Sequence, residues 1–462
     1  MQITIVSLYL LAVLVIGLWA GRGIKSMEEY ATAGKSFGTL AIFATLSASF
    51  IGGGFSTGNA EKVFLIGIGN IVALWGFSLK EILVARFIAP RMERYPHAIS
   101  VGDIMEPHYG KGARIFSGIF GVLLCAGILG AQVGAMGYVF NLFLGMDQLW
   151  GILIGCGIVI VYSTIGGMRS VVWTDFFQFV VLAVGVPLTL YFGIEAAGGW
   201  GAITQRVPAS HLSLGNSPSA YITLGALFMA FFLGETLVPP YVQRLLIGKS
   251  SKQVMRGTIL SGIFSIPFFA VTGLIGLVAL AMEPTLNANL AMPYVIKNAL
   301  PPLTQSFVIA GIISIIMSSA DSFLNSASVA FSNDIVRPLL KKPLSKKKEL
   351  HLAQAITLIV GLLAVLFAVS IESVLDILLY AYNFWAPTVL VPLALAILGA
   401  NVSKRQFFAG ASAGILATLI WNVGLNNPYH IDGLVIGALA NLVTFYAAGF
   451  FEGKMVLASD ID

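Results

Sequence analysis

Ser47-Ala48-Ser49-Phe50-Ile51-Gly52-Gly53-Gly54-Phe55-Ser56-Thr57-Gly58 lies inside an apolar stretch, residues 38–59. That stretch is long enough to cross a bilayer, which takes roughly 20 residues. Each of its three adjacent glycines forfeits about 1 kcal/mol relative to alanine in a helix interior, so the helix is primed to unwind there. A second stretch, residues 218–241, contains Gly234-Glu235-Thr236-Leu237-Val238-Pro239-Pro240. Paired prolines remove two backbone donors and clash with the preceding turn. Non-helical backbone at membrane depth survives only where protein or a water-filled cavity surrounds it.

The rest of the chain supplies that setting. Hydrophobic residues make up 57% of its 462 residues and charged residues only 10%, against roughly 45–50% and 25% in soluble domains. Apolar runs of spanning length lie near 3–21, 38–59, 64–86, 114–141, 147–167, 171–196, 218–241, 256–282, 304–332, 351–371, 374–398, 406–425 and 431–451. The sequence therefore reads as an all-α polytopic membrane protein with about 13 transmembrane helices in one domain over residues 1–455. The second and seventh spans, the two interrupted ones, each open a set of five, covering 38–196 and 218–398. Interrupted helices at matching positions of two halves point to an inverted-repeat transporter with its site at the breaks. The alternative is that the glycines only let helices pack closely. Residues 1–37 and 399–455 fall outside the repeats as peripheral helices.

Of the 26 Lys and Arg, 22 fall in alternate loops on one side, Arg244 among them, which places the N-terminus outside and the C-terminus in the cytoplasm. The basic run Lys341 to Lys348 reads as a topological anchor or a lipid-binding patch. Lys80-Glu81 and Glu61-Lys62 read as anchoring or snorkelling pairs near span ends. A net charge of +5 over this length is no basic patch for nucleic acid. Two cysteines in apolar runs exclude a disulfide scaffold and a four-cysteine zinc site. No cleaved leader is expected, because more membrane segments follow the first run directly. The spans hold no His-rich metal motif and no Ser/His/Asp arrangement, which leaves a polytopic membrane enzyme as a remote alternative.

An ionisable side chain within a span costs at least ~2.5–3.5 kcal/mol on insertion scales and is a functional hypothesis by default. Three stand out: Asp175, Asp321 and Glu235. Helical spacing sets Ser318, Asp321, Ser322 and Asn325 on one stripe. Four oxygen-bearing side chains beside the carbonyls of a broken helix suit a small hard cation rather than a transition metal. Interhelical hydrogen bonding explains the serines as well, but leaves Asp321 without a role. Glu235, four residues before Pro239, is placed to meet a solute amine, hold a proton, pair with Lys80 or accept freed backbone N–H groups.

Three segments carry a specific resemblance: Ala48 to Ala60, Tyr162 to Gln178 with Gly166-Gly167 and Trp173-Thr174-Asp175, and Met317 to Asp334. With Gln243-Arg244 after the seventh span, they make the whole chain resemble the sodium:solute symporter family, most closely its high-affinity choline branch. The resemblance implies a leucine-transporter-type five-plus-five inverted repeat. It also implies a first sodium (Na+) site from the carbonyls of Ala48, Ile51 and Ile315 with the hydroxyls of Ser318 and Ser319. A second sodium position would involve Asp175, Asp321 and Ser322. Where the choline branch surrounds its ligand with Trp and Tyr, whose faces attract a quaternary ammonium, this chain carries Phe50, Phe77 and Val238. Ser49 and Gly53 beside the break, Glu235, and Tyr382 and Trp385 of the eleventh span as an outer gate complete the expected solute site. The expectation is a sodium-coupled symporter of a small polar organic solute, such as an amino acid, a betaine or another amine-bearing compound, in a cytoplasmic membrane. A proton-coupled or uncoupled carrier of the same fold is the alternative.

Overall fold

A computed structural model describes residues 1–51, 53–215, 217–370 and 383–451. All thirteen expected segments are helical over their described parts. Eight helices are long and apolar enough to cross a membrane, or ten when each of two bent pairs counts once. The shortfall from thirteen has three sources. The third span forms an α-helix only over Gly69–Leu83 before passing into a π-turn at Val84–Ile88. The described part of the eleventh is the short apolar helix Asn383–Leu398. The fifth and sixth spans join into one 49-residue element, Gln148–Ala196, reversed only at Gly167 (φ 47°, ψ −142°). Glycine is required there twice over. The backbone is left-handed, and a β-carbon would lie 2.4 Å from the Tyr30 carbonyl.

Both anticipated interruptions are present. Thr39–Phe50 meets the helix Phe55–Ile66 at 47°, and Pro218–Gly234 meets Pro239–Leu246 at 55°. The second break differs from the expected proline kink. Pro239 and Pro240 are the first residues of a new helix, a position where a missing N–H costs nothing. The bend itself falls on Leu237, whose φ of 53° is strained for a side chain branched at Cγ. Asn59 pins the C-terminal half of the second span, donating from Nδ2 to the Phe269 carbonyl (2.7 Å) and Thr272 Oγ1 (2.8 Å). Asn70 Nδ2 in turn donates to Asn59 Oδ1 at 2.9 Å.

Burial separates centre from rim. The ninth span, Pro302–Leu339, has 94% of its most apolar window buried, against 28% and 39% for the twelfth and thirteenth. An apolar helix buried on every side is a core element, whereas one buried on a single face lines the lipid. The ninth span packs on the sixth, the second and the first, and this meeting point holds the polar groups described next.

Candidate ion and solute site

Asp175, on the sixth span, is fully buried and receives hydrogen bonds from several elements. Its Oδ2 accepts from Thr45 Oγ1 (2.5 Å) and Ser49 Oγ (3.1 Å) of the second span. Its Oδ1 accepts from Ser318 Oγ of the ninth. Arg244 Nη2 reaches Asp175 Oδ2 at 3.2 Å and also donates to Ser49 Oγ (2.8 Å) and to Ser322 Oγ. Arg244 Nε donates to Thr45 Oγ1 at 3.2 Å, and Nη1 to the Pro240 carbonyl at 2.9 Å. Asp321 Oδ2 accepts from Tyr162 Oη (2.5 Å) and Thr174 Oγ1 (3.4 Å), and its Oδ1 from Ser322 Oγ (3.1 Å).

These contacts bring together much of the expected ion site and rearrange part of it. Ser318, Ser322, Asp321 and Asp175 share one network, but Asn325, on the same stripe, stays outside it. Both polar atoms of its side chain lack a hydrogen-bond partner. Ser319 Oγ donates to the Ser49 carbonyl at 3.0 Å, and the Ile51 carbonyl accepts from Ser56 Oγ at 2.8 Å. Ala48 and Ile315 are buried beside them. Arg244 had been counted among the loop cations, and that assignment is corrected here: it is wholly buried and supplies the guanidinium around which the network closes. Its signal in the sequence is the three-residue spacing from Tyr241 on the helix begun by Pro239, which puts both side chains on one face. Tyr162 and Thr174 were quoted within a motif but given no role. No spacing rule points to them, since their shared partner Asp321 lies 159 and 147 residues away.

Two of the expected solute residues, Phe50 and Phe77, meet at a second cluster. Phe50 and Phe77 are buried, and Tyr241 packs edge-on to Phe50 with centroids 5.3 Å apart. Among these rings sits an ammonium group. Lys80 Nζ lies 3.8 Å from the Phe77 centroid, 4.3 Å from that of Tyr241 and 5.8 Å from that of Phe50. Glu81 Oε1 accepts from Nζ at 2.8 Å, and both side chains have no exposed surface. The anchoring role expected for Lys80-Glu81 is thereby corrected, because a snorkelling pair keeps its charges in water and this one has none. Val238 caps the helix after the second break, Glu235 caps the one before it, and both are buried. Trp385 Nε1 donates to the Thr236 carbonyl at 3.3 Å, so this expected gate residue is tied to the break itself. Gly53 begins the helix that follows the break in the second span. Tyr382 lies outside the described residues.

The family model for the sodium:solute symporter family matches residues 30–416. The chain belongs to that family. It is therefore a sodium-coupled symporter of a small solute, not an enzyme. Among curated relatives, the symporter is 26% identical over 414 residues to the high-affinity choline transporter 1 of Drosophila melanogaster, covering 83% of this chain and 63% of that protein. It is 24% identical over 462 residues to the high-affinity proline transporter PutP of Bacillus subtilis (strain 168), covering 94% of each. Its fold matches that of a Na+-coupled sialic acid symporter solved in a substrate-bound outward-open state. The TM-score is 0.85 at 21% identity, covering 97% of each chain. With this likeness, the symporter has the leucine-transporter-type fold with paired broken helices.

Charge balance tells what the first cluster can do. Two carboxylates, Asp175 and Asp321, face one guanidinium at zero exposure. With both carboxylates ionised, the cluster would carry one net negative charge where isolated buried charge is costly. A monovalent cation among these oxygens would then balance it. Sodium is cargo here rather than a resident cofactor. Among the described residues no group of three His, Cys, Asp or Glu offers a metal site of another kind.

Proposed function

We propose that this symporter moves one small polar organic solute with sodium into the cell by alternating access about the two clusters. Residues 38–196 and 218–398 form its inverted repeats, with 1–37 and 399–455 peripheral to them. The first sodium takes Ser318, Ser319 and the carbonyls of Ala48, Ile51 and Ile315. A second enters among Asp175, Asp321 and Ser322. Solute lies beside Ser49, Phe50, Gly53, Phe77 and Val238, with Glu235 and Trp385 on its outer side. The observation that carries this reading is the buried, oxygen-rich network at the joint between the broken second span and the ninth, in which Ser49 bonds Asp175 and Ser318. A cation bound there draws the two elements together, and its departure lets them part.

The symporter sits in the cytoplasmic membrane, in the lipid bilayer, with the N-terminus outside and the C-terminus inside. The distribution of Lys and Arg supports this orientation: with Arg244 removed from the loops, 21 of 26 still fall on one side. Each sodium moving down −100 mV contributes ~2.3 kcal/mol. Two would support roughly thousandfold accumulation, since ~1.4 kcal/mol is tenfold. Counter-flow in proteoliposomes driven in turn by sodium, potassium and pH gradients tests the coupling. The assay uses labelled proline, choline, glucose and small carboxylates. Uptake driven by sodium alone is expected. Uptake that follows the pH gradient, or that needs no gradient, would replace this reading with a proton-coupled or uncoupled carrier.

A further inference from the structure

We infer that Lys80 is a tethered cation that fills the aromatic box and makes it a receptor for the carboxylate of a small organic acid. The inference rests on the symporter reading of the site. An ammonium has three donors, and among the described residues only Glu81 accepts from Lys80; the rings of Phe77 and Tyr241 offer faces but no lone pair. Two N–H groups therefore remain for a ligand. Neighbouring residues on a helix do not ordinarily face each other, yet Lys80 and Glu81 meet at 2.8 Å among the rings. Such a pair is not a strong source of stability, because desolvation offsets most of its attraction.

The two charges are not presented equally. The Glu81 β-carbon is packed on the eighth span, where a β-carbon on Gly262 would lie only 2.9 Å from it. The ammonium, by contrast, stands among the rings of the box. The ammonium alone would repel a second cation at 4 Å, and attract an anion, by about 4 kcal/mol at an effective dielectric of 20; Glu81, paired at 2.8 Å, offsets part of both. Cation–π attraction, roughly 0.5–2 kcal/mol, cannot reverse that sign. The Tyr241 hydroxyl faces the Glu81 carboxylate, so Glu81 has a second partner when an incoming carboxylate competes with it for Lys80.

The test measures thermal stabilisation of the purified symporter in sodium by acetate, propionate and lactate, with propionamide, lactamide and choline as neutral and cationic controls. Carboxylates should stabilise and the controls should not. Lys80→Gln should abolish the carboxylate response while keeping stabilisation by sodium over potassium, which shows that the variant is folded. If Lys80→Gln does not fold, Lys80→Arg keeps the cation and should keep the preference for carboxylates over amides. Glu81→Gln removes the internal competitor and should tighten carboxylate binding about tenfold. Stabilisation by choline but by no carboxylate, in both the native chain and Glu81→Gln, would overturn the inference, as would a carboxylate response that survives Lys80→Gln. Carboxylate binding indifferent to sodium would leave Lys80 its role and remove the symport reading instead.

Discussion

Replacing Arg244 by methionine tests whether the buried network is an ion site or only a brace. The guanidinium donates to Ser49, Ser322, Thr45, Asp175 and the Pro240 carbonyl. Methionine fills similar volume and removes every donor. Asp175 keeps the hydroxyls of Thr45, Ser49 and Ser318 but loses its countercharge. Removing one partner of a buried pair costs about 3–5 kcal/mol, and that loss should appear in full in potassium. Loss of the guanidinium leaves the cluster one positive charge poorer, so sodium should bind more tightly than in the native chain. A ligand at one hundred times its Kd contributes ~2.7 kcal/mol, enough to return most of the loss. Arg244→Lys keeps the charge without the planar fork and should fall between the two. The assay is unfolding temperature across a sodium series, with potassium holding ionic strength constant. Equal destabilisation of Arg244→Met in both salts would refute the ion-site account and leave a structural pair.

Ser318→Ala and Ser319→Ala should each raise the sodium concentration for half-maximal uptake about three- to tenfold, the worth of one ~0.5–1.5 kcal/mol polar contact. An unchanged sodium dependence would remove these hydroxyls from the site. Asp321→Asn cancels the excess negative charge and should lower the sodium-to-solute ratio measured from reversal potentials in proteoliposomes. A normal ratio with reduced stability alone would make Asp321 a hydrogen-bonding group for Tyr162. Gly276→Ala would set a β-carbon 2.2 Å from the Ala60 carbonyl oxygen and should cost about 1–3 kcal/mol by overpacking. An unaltered unfolding temperature would show that the second and eighth spans do not depend on this close approach.

The backbone was the most legible part of the molecule. Glycines at 52–54 and prolines at 239–240 act locally, so their breaks can be read without knowing what packs around them. The stripe Ser318, Asp321, Ser322 follows from helical period alone, and it lies where the network forms. Partners at long range were not legible. Arg244 meets Asp175 across 69 residues and Thr45 across 199. A tally of charges places such a residue in a loop because the apolar run ends near it. Lys80 and Glu81 were misread for the same reason: their burial comes from Phe77, Tyr241 and the eighth span, not from their neighbours in sequence. Asn325 failed in the opposite direction, since it keeps the period of the stripe but lies beyond the reach of the sixth span's hydroxyls.

Ser49 occupies a position whose consequence reaches past local geometry. Its carbonyl accepts from Ser319, while its hydroxyl belongs to the network of Asp175, Arg244 and Ser322. This one residue, three before Gly52, thus touches Ser319 of the first proposed sodium position and Asp175 and Ser322 of the second. Filling either position changes how firmly Ser49 is held, and so changes what the other must expend to order it. Thermodynamic reciprocity then allows no hierarchy between the two ions. If the first tightens the second by some factor, the second tightens the first by the same factor. Their affinities are a joint property of the pair, and substitution of Ser49 would shift both together.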